Sequence, residues 1–182
     1  FGVRARGRDL REWKDLVHTI QTVKKPVKIG VVGKYFSTGD FVLSDVYISI
    51  IEALKHAAWS WNRKAELTWI NAEEFEKNPA KLKTLKQFDG IVVPGGFGSR
   101  GIEGKIAVIQ YLRVHKIPFF GLCYGMQLAT IEFARHVAKL HGTVHTEEVD
   151  PKAKHQVIHL MPEQEGVMAS GHYGGTMRLG AY

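Results

Sequence analysis

The 182-residue chain contains a single cysteine, Cys123, and six prolines. No apolar run approaches the roughly 20 residues that a membrane-spanning helix needs. One cysteine excludes an internal disulfide framework and any zinc cluster built on cysteines. It fits a reducing, cytoplasmic setting. The opening stretch "FGVRARGRDL" lacks the apolar core of a secretory leader. Acidic residues are outnumbered, and the formal net charge is +7. The excess is scattered over "RARGR", over Lys24, Lys25 and Lys28, and over "KLKTLK", with no zinc finger or aromatic-spaced RNA-binding pattern beside it. It reads as solvated helix faces plus a basic docking surface, which argues against nucleic acid as a partner. No His-x-x-x-His or His-Glu pair has matching ligands, so no metal site is expected.

What the chain does have is alternation. "RDLREWKDLVHTI" places Leu10, Trp13, Leu16 or Val17, and Ile20 on one helical face, with Asp9 and Glu12 spaced as a capping box. Pro26 marks a boundary before the apolar strand "VKIGVV". A helix follows over "DVYISIIEALKHAAWSW", carrying Val46, Ile50, Ala53, Leu54 and Ala57 at core spacing. Then come a strand at "ELTWIN", a short helix begun by Pro79, and a strand running from "DGIVV" into "PGGFGSRGIEG". "KIAVIQYLRVH" reads as a helix, "IPFFGL" as a strand, "GMQLATIEFARHVAKL" as a long helix, and "QVIHLM" as a last strand. Continuous apolar strands alternating with helices predict an α/β fold, a mostly parallel sheet with helices on both faces. Both unusual loops, after Val93 and after Leu122, fall at carboxyl ends of strands, where such sheets bind ligands.

Gly121-Leu122-Cys123-Tyr124-Gly125 has the form of a nucleophile elbow. The flanking glycines permit a sharp strand-to-helix turn, and the helix N-terminus favours thiolate. The alternative is a buried cysteine with glycine neighbours. The loop Pro94-Gly95-Gly96-Phe97-Gly98 supplies what an acyl-transfer nucleophile needs, backbone donors for a developing oxyanion. Those donors would be the amides of Tyr124 and of Gly95 or Gly96. The same loop lacks the Gly-Lys-Ser/Thr of a phosphate-binding P-loop, although a plain turn remains an alternative.

"VGKY", "DGIVVPGGFGSRGIEGK", "PFFGLCYGMQLATIEFAR" and "GGTMRLG" together resemble the glutaminase domain of the CTP synthase family, a class I glutamine amidotransferase. The resemblance spans Lys28 to Gly180. It implies a Cys-His-Glu triad that releases ammonia from L-glutamine through a γ-glutamyl thioester. Cys123 corresponds to the nucleophile, and Gly95 with Tyr124 to the oxyanion hole. Gly96, Phe97, Tyr124, Gly125, Met126, Gln127 and Glu147 correspond to glutamine contacts, Glu147 as the carboxylate that would hold the α-ammonium. The resemblance further implies a synthetase domain of the same polypeptide that aminates UTP to CTP. ATP and Mg2+ would serve that domain, GTP could activate it, and the full-length enzyme would be a homo-oligomer. Residues 1–26 are then a connector from the synthetase domain, and residues 27–182 the amidotransferase domain without its C-terminal part.

Three departures stand out. Tyr124 replaces the leucine usual in the CTP synthase pattern and is reminiscent of GMP synthetase, though the backbone amide survives the exchange. Glu148 replaces an aromatic. The triad histidine and glutamate belong to a "HRYE"-like segment beyond "GGTMRLG", which these residues do not contain. His136, His141, His145, His155, His159 and His172 read as ordinary histidines, none marked by spacing as the base. The rival readings are a GMP synthetase-type amidotransferase or γ-glutamyl peptidase on the same fold, and a non-catalytic interaction module.

Overall fold

A computed structural model describes residues 9–33, 47–96, 100–146 and 149–159 of the chain. Four strands, β1 (Pro26–Gly33), β2 (Lys64–Asn71), β3 (Gly90–Val93) and β4 (Phe119–Gly121), form one parallel sheet in the order β2-β1-β3-β4. Side chains alternate across a strand, so neighbours on β1 serve different layers. Val31 packs with Tyr47, Ile50, Leu54 and Trp69 beneath α2 (Ile48–Ser60). Val32 joins the larger core, with Phe75, Leu85, Ile106, Leu112, Leu128 and Ile131. That core is built by α3 (Glu73–Lys77), a 3₁₀ helix (Pro79–Gln87), α4 (Ile102–Val114) and α5 (Tyr124–His136). The expected α/β architecture, helices on both faces of a parallel sheet, is therefore present. No helix among the described residues is long and apolar enough to cross a membrane.

Several local expectations differ in detail. The helix α1 (Arg11–Thr22) forms, but Asp9 does not close a capping box with Glu12. Its carboxylate accepts the Arg11 amide at 3.1 Å and the Arg11 guanidinium at 2.6 Å, a charge-assisted pair that displaces the cap. The apolar stripe of α1 stays open, with Trp13 67% exposed. On α2 the inward face runs through Ile50, Leu54 and Ala58, while Ala53 and Ala57 are exposed; Val46 lies outside the described residues. The segment after Asn78 is a 3₁₀ rather than an α-helix. Leu82, Leu85 and Phe88 fall three apart, and a helix of three residues per turn puts them on one face. The Asn78 side chain starts it by accepting the Ala80 amide at 3.2 Å.

The helix α4 begins at Ile102, ahead of the expected start, because Gly101 turns the chain at φ 72°. The helix α5 ends at His136, short of the expected end. The last strand is observed as β6 (His155–Ile158), paired in parallel with a short β5 (Val144–Thr146) that was not expected. Three residues are too few for a period-2 pattern to register.

The start of α4 presses on the entrance to α3. A Cβ on Gly104 would lie 2.1 Å from the Ala72 carbonyl oxygen, a backbone atom with little freedom to retreat. Gly104→Ala should therefore cost at least about 1–3 kcal/mol, the usual range for overpacking a core. Urea denaturation checks this; a loss under about 0.5 kcal/mol, ordinary for a surface change, would show that α3 and α4 separate freely.

Candidate active site

Cys123 occupies the turn between β4 and α5, exposed, at φ 50° and ψ −108°. Positive φ costs a non-glycine residue of the order of 1–3 kcal/mol, and such strain collects at functional sites. Its neighbours explain why it persists. The Leu122 amide is bonded to the Val93 carbonyl at 2.9 Å, continuing the β3–β4 ladder to the brink of the turn. The Gly125 amide closes back onto the Leu122 carbonyl at 2.9 Å, and the Met126 and Gln127 amides reach the Cys123 carbonyl at 3.1 and 3.2 Å.

Both glycines of the elbow are forced by close approach. A Cβ on Gly125 would lie 2.0 Å from the Val93 carbonyl oxygen, and one on Gly121 would lie 2.7 Å from Gly125 backbone. The tight entry aims the Cys123 side chain away from the core. The Gly95 loop stands against it, since a Cβ on Gly95 would lie 3.3 Å from Cys123 Cβ and 3.7 Å from its Sγ. Adjacent parallel strands β3 and β4 thus deliver the glycine loop and the thiol to one spot. Beneath them lies Lys105 of α4, 2% exposed. Its Nζ is 5.7 Å from the centre of the Tyr124 ring and 4.0 Å from where a Cβ on Gly96 would be.

Ion pairs fix the helices that carry the site. Glu132 of α5, 1% exposed on its side chain, receives the Arg113 guanidinium of α4 at 2.7–3.2 Å and the His136 ring at 3.3 Å. One turn on, Arg135 pairs with Glu103 at 2.9 and 3.0 Å and donates twice to the Val144 carbonyl, at 3.0 and 2.9 Å. Arg135 therefore ties α5 both to the start of α4 and to β5. The segments "GIEGK" and "IEFAR" are bonded partners through Glu103 and Arg135.

The expected site residues divide clearly. Cys123, Gly95, Gly96, Tyr124, Gly125, Met126 and Gln127 are brought together at the elbow, with Tyr124 and Gly125 buried, Gln127 half-buried and Met126 exposed. Phe97, Glu147 and Glu148 lie outside the described residues, as does His172. Among the described residues no hydrogen bond joins a histidine to Cys123. His136 is held by Glu132, His155 bonds the His141 carbonyl at 3.1 Å, and His145 Nδ1 accepts the Thr146 amide at 2.9 Å. Also among the described residues, no group of three His, Cys, Asp or Glu is placed to hold a metal ion. Lys105 was missed. Its signal was a lysine in register with Ile102, Ile109 and Leu112, the buried stripe of α4, where periodicity calls for an apolar residue.

The family described as glutamine amidotransferase class-I matches residues 42–181. The chain belongs to that family. Within it, the chain is similar to the CTP synthase of Listeria monocytogenes serotype 4b, 49% identical over 175 residues that cover 96% of this chain and 31% of that protein. The CTP synthase of Geobacillus kaustophilus is 50% identical over the same extent. The chain thus spans about a third of the length of the curated relatives it matches. Its fold is similar to a solved glutaminase domain of Trypanosoma brucei CTPS with bound acivicin, at a TM-score of 0.69 and 35% identity, covering 78% of this chain and 53% of that one.

The geometry around β5 generates a pH dependence. Burial first, and then the Arg135 charge, hold His145 below its ordinary value of 6.5, with Glu103 and Asp150 opposing weakly. A depressed folded value means the unfolded chain takes up the proton first. The contribution of this histidine is complete above about pH 6.5 and is lost as pH falls towards the folded value. Urea midpoints should drop between pH 7 and pH 5.5. His145→Asn, whose Oδ1 stands where Nδ1 does, should flatten that drop; an unchanged slope would remove His145 from the account.

Proposed function

We propose that this chain is the glutaminase part of a CTP synthase, hydrolysing L-glutamine to supply ammonia for ATP-dependent amination of UTP. The observation that carries this reading is Cys123 itself, exposed and strained at φ 50° between two glycines that have no room for a side chain. Identities of 49–50% to CTP synthases favour it over the GMP synthetase and peptidase alternatives.

The Cys123 thiolate attacks the side-chain amide carbon of glutamine. Negative charge moves to the amide oxygen, where backbone N–H groups of Tyr124 and of Gly95 or Gly96 receive it. Collapse breaks the C–N bond, the nitrogen leaves as ammonia after gaining a proton, and water then hydrolyses the thioester to glutamate. Gly96, Phe97, Gly125, Met126, Gln127 and Glu147 line the glutamine, with Glu147 on the α-ammonium. A histidine oriented by a glutamate, the pair the resemblance implies, moves the protons. In this reading α1 belongs to the connector towards the synthetase part. ATP, Mg2+ and GTP act there, in a homo-oligomer of the complete protein.

Two outcomes are expected. A glutamine-mimicking electrophile should label Cys123 faster than a neutral alkylator does, and free glutamine should slow that labelling. Equal rates, or no protection by glutamine, would sink the substrate assignment.

Residues 1–182 should also turn glutamine over at least ~10²–10⁴-fold more slowly than the same sequence extended through the length of its CTP synthase relatives, the usual contribution of a general acid–base group. Circular dichroism establishes that both fold. Comparable activity would place the base within the chain, and alanine at His145, His155, His159 or His172 in turn would find it.

A further inference from the structure

We propose that Lys105 is a positioning residue whose buried ammonium braces the two backbone donors of the oxyanion hole. The inference rests on the glutaminase reading and goes past it, because the elbow and the glycine loop do not by themselves require a cation beneath them.

Three observations carry it. First, Lys105 replaces an apolar residue in the core stripe of α4, between Ile102 and Ile109, and only 2% of it is exposed. Burying an ammonium costs several kcal/mol after relaxation. A methionine of similar length would fill the same volume without that cost, so packing alone does not account for a lysine.

Second, the ammonium lies where the two donor segments converge. One is Gly96, with 4.0 Å between Nζ and the place a Cβ would occupy. The other is Tyr124, whose ring face lies 5.7 Å from Nζ, within cation–π range. Gly96 belongs to the loop leaving β3, and Tyr124 is the first residue of α5. Backbone contacts set where both segments start: the Leu122 amide bonds the Val93 carbonyl, and the Gly95 loop stands against Cys123. A single cation standing beside both would add a link between them in the side-chain layer beneath.

Third, the residue directly after Cys123 is a tyrosine, 5% exposed, whose ring lies under the cation. A leucine has no π-face to offer a cation. With tyrosine, the side chain after the nucleophile becomes half of the brace while its amide remains available to the hole.

A hole whose donors drift loses transition-state stabilisation while ground-state binding of glutamine is retained. Removing one donor outright costs ~10²–10³ in kcat, and loosening two should cost somewhat less. In the complete polypeptide, Lys105→Met should lower kcat for glutamine hydrolysis by roughly 10–100-fold while KM stays within about threefold. The reaction of Cys123 with iodoacetamide, which forms no oxyanion, should stay within about threefold. Hydrogen exchange at the Gly95, Gly96 and Tyr124 amides should quicken about tenfold or more, with β2 amides unchanged.

A kcat within about threefold of wild type would overturn the proposal. So would a kcat loss matched by slower iodoacetamide labelling and a lower thermal midpoint, since that is the signature of a damaged core. Lys105→Gln repeats the test without the charge should the methionine variant fail to fold; wild-type kcat in that variant would equally overturn it. The exchange measurement separates the two layers of inference. If the wild-type protein hydrolyses no glutamine yet the loop amides quicken in Lys105→Met, the glutaminase reading fails and the brace stands. Unchanged exchange removes the brace whatever the kinetics.

Discussion

The first turn of α5 lies so close to the end of β3 that a single methyl group would separate them. A Cβ on Gly125 would come within 2.0 Å of the Val93 carbonyl oxygen, and the Gly121 position is shut in the same way by Gly125. That contact decides where the helix starts, and so which way residue 123 must face. It also decides which loop the thiol meets, because Val93 and Gly121 are register partners and the chains leaving them emerge side by side. The placement of the thiol is therefore a consequence of backbone-to-backbone packing.

Keeping that contact under load falls to the polar residues along α5. Glu132 is buried, where an unpartnered carboxylate would be costly, and its bonds to Arg113 tie α4 to α5. Arg135 ties α5 to α4 again through Glu103, and to β5 through the Val144 carbonyl. These bonds join the sequence segments around Gly101 and Ile131. They read as two motifs, but each supplies one half of a charged clamp.

The sheet, its parallel sense and the elbow were legible in the sequence because each rests on local information: apolar runs, glycines at fixed offsets, and β–α alternation. What escaped was set by tertiary contact. The capping box failed because Arg11 competes for Asp9, and the spacing of letters carries no sign of that competition. The 3₁₀ helix was foreshadowed by Leu82, Leu85 and Phe88, yet a three-residue spacing also fits an α-helix, and only packing decided. Lys105 was visible as a letter out of place in an apolar stripe, but which atoms it meets depends on a strand and a helix remote in sequence. The strand β5 is too short for any periodicity; its pairing with β6 and the Arg135 bonds to the Val144 carbonyl hold it.

The strain at residue 123 has an evolutionary reading. Glycine adopts a left-handed turn without penalty, so drift towards stability at this position runs towards glycine and away from any reactive side chain. The cysteine is exposed and fills no hole in the core, so its loss would leave no cavity to heal. A lineage released from selection on its chemistry would gain about 1 kcal/mol or more by discarding it. A thiol in such a place is one that stability alone would not select.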